Sequence, residues 1–407
     1  MRSLPMTLMA LLWTVPPLQA DTVVYPTGSY PADVQAVQAA VDGGGRVLLK
    51  AVNEAGEPAA FDFGPSDPDS GGLVELTGDV DIRGETLWPS RTTVGERVGS
   101  HMTTVRGGLR PYFGVDPTVK SKIRGINFEG PLFAAIFIIG SAGSEIIGNR
   151  ISGVVMLADN GSTGIGFDGG NDRDGAITGR VRVVGNVIED TIDTDPIAPT
   201  AGAITIFTTA TTEVEIARNV VNNVPGQGIF VAQPRGLVRI EENVLVPGAD
   251  PTGFLFGNGI VIVGGRGAVY RVKQNEIRCE NPQADGILFF GFGDDRLAGA
   301  IVAPVVTKNR VVMHDSLFGG VSLYGSVSHA FVAGNEIEGN GAYALQIAEG
   351  FPDDIASDNI FLGNNVSRFT SSVADVFFGT NTRENLVVGH CRSVIDLGVD
   401  NQVTCGH

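Results

Sequence analysis

Val214-Glu-Ile-Ala-Arg-Asn-Val-Val221 returns 24 residues later as Val238-Arg-Ile-Glu-Glu-Asn-Val-Leu245, and the two octapeptides are near copies. Each runs apolar-x-apolar toward an asparagine and resumes with apolar residues behind it. Asn149, Asn186, Asn275, Asn309 and Asn335 stand in the same setting, and the intervals between successive members of the set range from 24 to 37 residues. A unit that recurs at this period is one coil of a solenoid, and each coil buries its apolar side chains against the next.

A third apolar segment completes the unit. It recurs as Gly164-Ile-Gly-Phe167, Ala203-Ile-Thr-Ile206, Gly228-Ile-Phe-Val231, Gly259-Ile-Val-Ile262, Gly286-Ile-Leu-Phe289 and Gly320-Val-Ser-Leu323. Three short strands per turn make a triangular coil. Stacking equivalent strands roughly 4.8 Å apart gives parallel sheets whose side chains alternate inward and outward. The repeated asparagine is expected at the bend between two strands. Its backbone tolerates left-handed angles there, and its amide can bond the amide stacked on it in the next coil.

Ahead of the coils stands Tyr30-Pro-Ala-Asp-Val-Gln-Ala-Val-Gln-Ala-Ala-Val-Asp-Gly-Gly-Gly-Arg-Val-Leu-Leu49. Val34, Val37 and Val41 share a helical face, and Gly43 to Gly45 stop the helix. Together with the coil pattern, this opening resembles the pectin-lyase-like superfamily over nearly all of residues 25–390. The resemblance implies an all-β fold, a right-handed single-stranded parallel β-helix with an N-terminal capping helix. It also implies that the Gly-Ile-x-apolar strands form the first sheet, the strands before the asparagines the second, and those after them the third. Enzymes of this superfamily work on the outer face of the first sheet.

The rest of the chain frames the coils. Residues 1–20 carry Arg2, an apolar run from Met6 to Val15 and Leu18-Gln19-Ala20, the plan of a cleavable secretory signal. The expected order is signal peptide 1–20, cap and irregular early coils 21–115, regular β-helix 116–390 and C-terminal cap 391–407. The protein is therefore expected in the periplasm or outside the cell, and no later segment reads as membrane-spanning. In such a compartment Cys391 and Cys405 are placed to form a disulfide, which leaves Cys279 as an odd thiol beside a turn. A formal net charge of −17 argues against nucleic acid, anionic membranes and unaided binding of polyuronates. A bridging divalent cation would change the last of these.

With the isoleucines of the first sheet inward, Asp168, Thr205, Phe230, Val261, Leu288, Phe290, Ser322, Tyr324 and Gln346 point outward. This floor is apolar. Polyuronate lyases of the resembled superfamily carry charged floors, with Ca²⁺-binding acids and an Arg or Lys base, that the chain does not reproduce. Of the polygalacturonase set Asn-Thr-Asp, Asp-Asp, Gly-His-Gly and Arg-Ile-Lys, only Asp294-Asp295 is present. Phe290 and Tyr324 suit stacking on sugar rings, with Arg266 and His329 on one lip as further substrate contacts. The stripe suits cover by a loop or an oligomeric contact even better.

Asp294, Asp295 and Asp315 come from adjacent coils and form the carboxylate set for general acid and base work on a glycosidic bond. Asp285 and His314 accompany Asp315 on the second lip. The turn Asp168–Asp174 has part of the spacing of a Ca²⁺ loop without its terminal Glu, and offers Asp168, Asp172 and Asp174 as ligands. Acids in such turns also serve simply to cap the backbone. Two readings stay open: a polysaccharide hydrolase, lyase or epimerase, and a non-catalytic surface, adhesion or matrix-assembly protein.

Overall fold

The computed structural model describes residues 21–64, 74–85, 102–107, 112–113, 119–131, 134–156, 163–169, 177–193, 202–207, 213–248, 257–265, 267–293, 299–351 and 353–406. Within them the chain is a right-handed parallel β-helix, every strand pairing with its counterparts one coil away in parallel register. The second sheet is the most regular. It has fourteen strands, from Thr22–Val24 through Glu213–Ala217 and Leu237–Glu241 to Gln402–Gly406. Val214, Ile216, Val238 and Ile240 are fully buried in the core, while the residues between them face solvent.

The outer face of that sheet uses the alternation electrostatically. Arg46, Asp81, Lys122, Glu145, Arg182 and Glu215 lie in one register row, so each charge meets its opposite in the neighbouring strand. Lys122 reaches Glu145 at 3.0 Å, and Arg182 reaches Glu145 at 3.5 Å and Glu215 at 3.0 Å. Cross-strand pairs of opposite sign each stabilise a sheet by a few tenths of a kcal/mol, up to about 1 kcal/mol.

The asparagines form a continuous buried ladder. From Asn149 through Asn186, Asn219, Asn243, Asn275, Asn309 and Asn335 to Asn364, each Nδ2 donates to the next Oδ1 at 2.8–3.1 Å. The other Nδ2 proton reaches a backbone carbonyl of the preceding coil, as Asn243 does at Ile216. One expectation is corrected here. The left-handed residue is the one ahead of each asparagine: Gly148, Gly185, Arg218, Glu242, Gln274, Lys308, Gly334 and Gly363 have φ of 55–66°. The asparagine keeps ordinary angles because its amide must be aimed along the stack, and its predecessor makes the turn.

In the later coils the cross-section changes. Arg310–Gly325, Glu336–Ala348 and Phe369–Phe378 each run from the third sheet into the first without a loop, bending at register shifts. On the opposite side Ile301–Val302, Val327–Ser328, Ala356–Ser357 and Thr382–Arg383 form a small fourth sheet. A second ladder, Asn359–Asn385–Asn401, holds the bend behind that sheet. Its predecessors Asp358, Glu384 and Asp400 are again left-handed.

The N-terminal helix is Ala32–Asp42, followed by left-handed Gly44 and Gly45. Val37 and Val41 are buried against the first coils and Val34 is half-buried. Asp33, which hydropathy alone would turn to solvent, is fully buried. Its carboxylate accepts hydrogen bonds from Thr27 N, Thr27 Oγ1, Gly28 N and Asp62 N, pinning the segment before the helix to the third sheet.

Cys391 and Cys405 are joined, with 14 residues of sequence separation, next to the last pairing of the second sheet. Closing a loop of this size restricts the unfolded chain by about 3 kcal/mol. Cys405→Ser should therefore speed amide exchange in Leu386–His390 and Gln402–Gly406 while leaving the central coils protected. Uniform exchange across all coils would show that the bridge does not act locally. Cys279 is fully buried, and burial pushes its thiol up to about 12. Among the described residues no helix is long and apolar enough to cross a membrane.

Candidate functional site

Register fixes the outer face of the first sheet. One outward row runs Phe137, Gly166, Thr205, Phe230, Val261, Leu288, Ser322, Gln346, Phe377, Ile395. The second row, two residues further along each strand, runs Ile139, Asp168, Phe207, Ala232, Val263, Phe290, Tyr324, Ala348. All nine outward residues read from the sequence sit on these rows.

The face divides in two along the axis. In the middle coils Phe230 and Val261 point outward yet are only 8% and 3% exposed, and with Ala232 they form a small apolar cluster outside the main core. That shielding exists within a single chain. From Leu288 onward the floor carries polar groups: Leu288, Phe290, Tyr324 and Phe377 are half-buried, Gln346 is 8% exposed and Ser322 is fully buried. Tyr324 Oη donates to Gln346 Oε1 at 2.8 Å, and Ser322 Oγ donates to Asp285 Oδ1, which also accepts Gly319 N at 3.1 Å. Gly319 has no room for a side chain: a Cβ there would sit 2.4 Å from Ser322 Oγ and 3.2 Å from Gln346 Cβ.

Asp285 is the buried acid of this site, 3% exposed at the edge where the third sheet turns into the first. Burial disfavours its charged form and pushes the carboxyl up to about 7, while the bonds from Ser322 and Gly319 pull it back in part. Tyr324 is shifted upward as well, by burial first and then by the nearby Asp285 carboxylate. A carboxyl that holds its proton near neutral pH can donate to a ligand oxygen or, once ionised, accept from a hydroxyl.

Aromatic side chains border the cluster on both sides. Phe290 lies 4.9 Å from Phe292, 6.0 Å from Phe351 and 6.4 Å from Tyr324, ring centroid to ring centroid. Across the floor Tyr343 packs on Phe377 at 4.9 Å. All six aromatic residues are half-buried. Beneath the first group, Asp354 is 2% exposed. Its Oδ1 accepts Gly293 N at 2.8 Å and Ser326 Oγ at 3.2 Å, and its Oδ2 is buried without a hydrogen bond.

The residues singled out in the sequence are distributed unevenly. Phe290 and Tyr324 stand together on the floor. Asp294, Asp295 and Arg266 lie outside the described residues, as do Asp172 and Asp174 of the calcium turn. Asp168 is half-buried in the second outward row, four strands before Phe290. Asp315 is exposed with φ 51°, and Asn340 Nδ2 donates to its carboxylate while its own N–H donates to Asn340 Oδ1 at 3.3 Å. His329 is an exposed corner residue with φ 57° beyond Val327–Ser328. Among the described residues no three acids, histidines or cysteines converge as metal ligands. Asp285, Asp354 and Asp375 are buried acids of these coils outside the carboxylate set that motif reading chose; Asp375 accepts Ser371 Oγ at 2.7 Å and Arg392 N at 2.6 Å.

No family model matches the chain. No curated protein matches it either. Among solved structures it is similar to tailspike protein 3 of bacteriophage CBA120, at 12% identity and a TM-score of 0.44, over 93% of this chain and 58% of that one. The chain thus spans less than two thirds of the tailspike's length.

Proposed function

We propose that this is an exported β-helix protein of the pectin-lyase-like type that binds or processes a polysaccharide on the outer face of its first sheet, in the coils from Ile287 to Phe378. One observation carries the reading: the polar group Asp285, Ser322, Tyr324 and Gln346 lies between two half-buried aromatic groups. Sugar rings present apolar C–H faces and polar edges, and aromatic platforms beside amide and hydroxyl groups meet both. Export is supported by the Cys391–Cys405 bridge, since disulfides persist in oxidising compartments. The superfamily assignment is supported by the helix ahead of the coils and by the asparagine bend between second and third sheets.

Screening the purified protein against a polysaccharide panel tests the proposal. Phe290→Ala should weaken any binding found by about tenfold, the loss of one stacking platform. Unchanged affinity would remove the first sheet from the site.

A non-catalytic contact role has its own observation. On the second sheet, Phe331 and Ile360 lie in register on adjacent strands, each more than a third exposed. Glycan binding without turnover of any bound polysaccharide would favour that reading over an enzyme.

A further inference from the structure

The first sheet's outer face differs from the second's in one physical respect. Of the ten positions in its first outward row, from Phe137 to Ile395, none is charged, and of the eight in its second row only Asp168 is. No Lys or Arg stands on either row. The same coils place Arg182, Glu215 and Arg239 in one row of the second sheet, so neutrality is a property of this wall and not of the chain.

We infer that the ligand of this face is an uncharged polysaccharide, a substrate class that rests on the polysaccharide reading above and narrows it. A carboxylated or sulfated chain lying here would lose its hydration without gaining a cationic partner from either row, and Arg392, beside the strand Phe369–Phe378, is already paired with Asp375 at 3.3 Å. It would also approach a protein of net charge −17. A neutral chain meets neither penalty. Its ring faces fit Phe290 and Phe377, its hydroxyls fit the Gln346 amide and the Tyr324 hydroxyl, and the floor at Leu288 costs little to dehydrate. Asp285 does not contradict this. Its carboxyl sits at the edge of the floor and burial favours its neutral form.

Isothermal titration separates the outcomes. The probes are neutral oligosaccharides (glucan, galactan, mannan and xylan) against oligogalacturonate and alginate oligosaccharides of matched length, in chelator, at about 20 and about 200 mM salt. At least one neutral chain should bind with an affinity that salt changes by less than about twofold. The carboxylated chains should bind at least about tenfold more weakly and improve as salt screens the repulsion. A carboxylated chain bound as tightly as any neutral one, with affinity falling as salt rises, overturns the inference and leaves the polysaccharide reading standing. Binding of no oligosaccharide of either kind overturns the polysaccharide reading, and this inference with it.

Discussion

Asn243→Ala should lower the unfolding free energy by about 4 kcal/mol. In the native coil Asn243 Oδ1 accepts both Asn219 N at 2.9 Å and Asn219 Nδ2 at 3.0 Å, and its Nδ2 donates to Ile216 O and to Asn275 Oδ1, each at 2.9 Å. Alanine deletes all four bonds at a site with no solvent exposure. Water cannot replace them: Asn219 N loses its acceptor, one proton of Asn219 Nδ2 and the Ile216 carbonyl each lose a partner, and Asn275 Oδ1 keeps only the backbone N–H of residue 243, at roughly 1–3 kcal/mol for each group left wholly unsatisfied. Asn222→Ala provides the control. That asparagine is half-buried and off the ladder, and its loss should change stability by less than about 0.5 kcal/mol. Denaturant titration of both variants checks the contrast, and equal stabilities would show that the ladder marks the bend without holding it. Because stability in a solenoid is a sum over coils and their interfaces, the damage should centre on the coils from Val214 to Lys273.

The same ladder shows where sequence reading succeeds and where it stops. Seven asparagines announce themselves because the bend recurs in an apolar frame that one chain repeats. Asn364 extends the set and is flanked more weakly, by Gly363 and Asn365. Asn359, Asn385 and Asn401 are legible too, each directly ahead of an apolar-containing strand, but they hold a different corner, and a search for one bend per coil passes over a second. The left-handed residue cannot be assigned from preference alone. Asparagine suits both the turn and the stack, and the demand of the stack prevails.

The outward rows of the first sheet are readable because strand alternation is strict. The burial of the acid there is not. Asp285 in Asn-Pro-Gln-Ala-Asp-Gly reads as a solvated turn residue, and its burial depends on Gly319 and Ser322, 34 and 37 residues further on. Acids chosen by dipeptide and coil order, such as Asp315, carry no information about burial, and Asp315 is exposed in a corner bonded to Asn340. Register connects residues of neighbouring coils, and only packing decides which of them lose water.

Stability of the wild-type protein should fall as pH rises from about 4 to about 7, and Asp285→Asn should remove that component of the fall. Burial raises the folded-state pKa of Asp285 to about 7, against about 3.9 for an unfolded aspartate. The native state therefore holds this proton more tightly than the unfolded one. Its contribution is fully present below the unfolded value and is lost progressively as pH climbs through the folded value. A difference of this size corresponds to about 4 kcal/mol at the limit. Asparagine at this position keeps the geometry, since its side-chain oxygen can still accept Ser322 Oγ and Gly319 N, and only the ionisation is removed. Thermal melts at about pH 4.5 and about pH 8 should find the variant close to wild type at the lower pH and more stable by several kcal/mol at the higher. A variant that is destabilised equally at both would mean that Asp285 is ionised in the folded protein throughout. Ligand affinity measured across the same pH range separates the two roles open to this carboxyl: it should change in wild type and stay level in the variant where a bound ligand reaches the Asp285 proton, and stay level in both where the carboxyl only packs against Ser322 and Gly319.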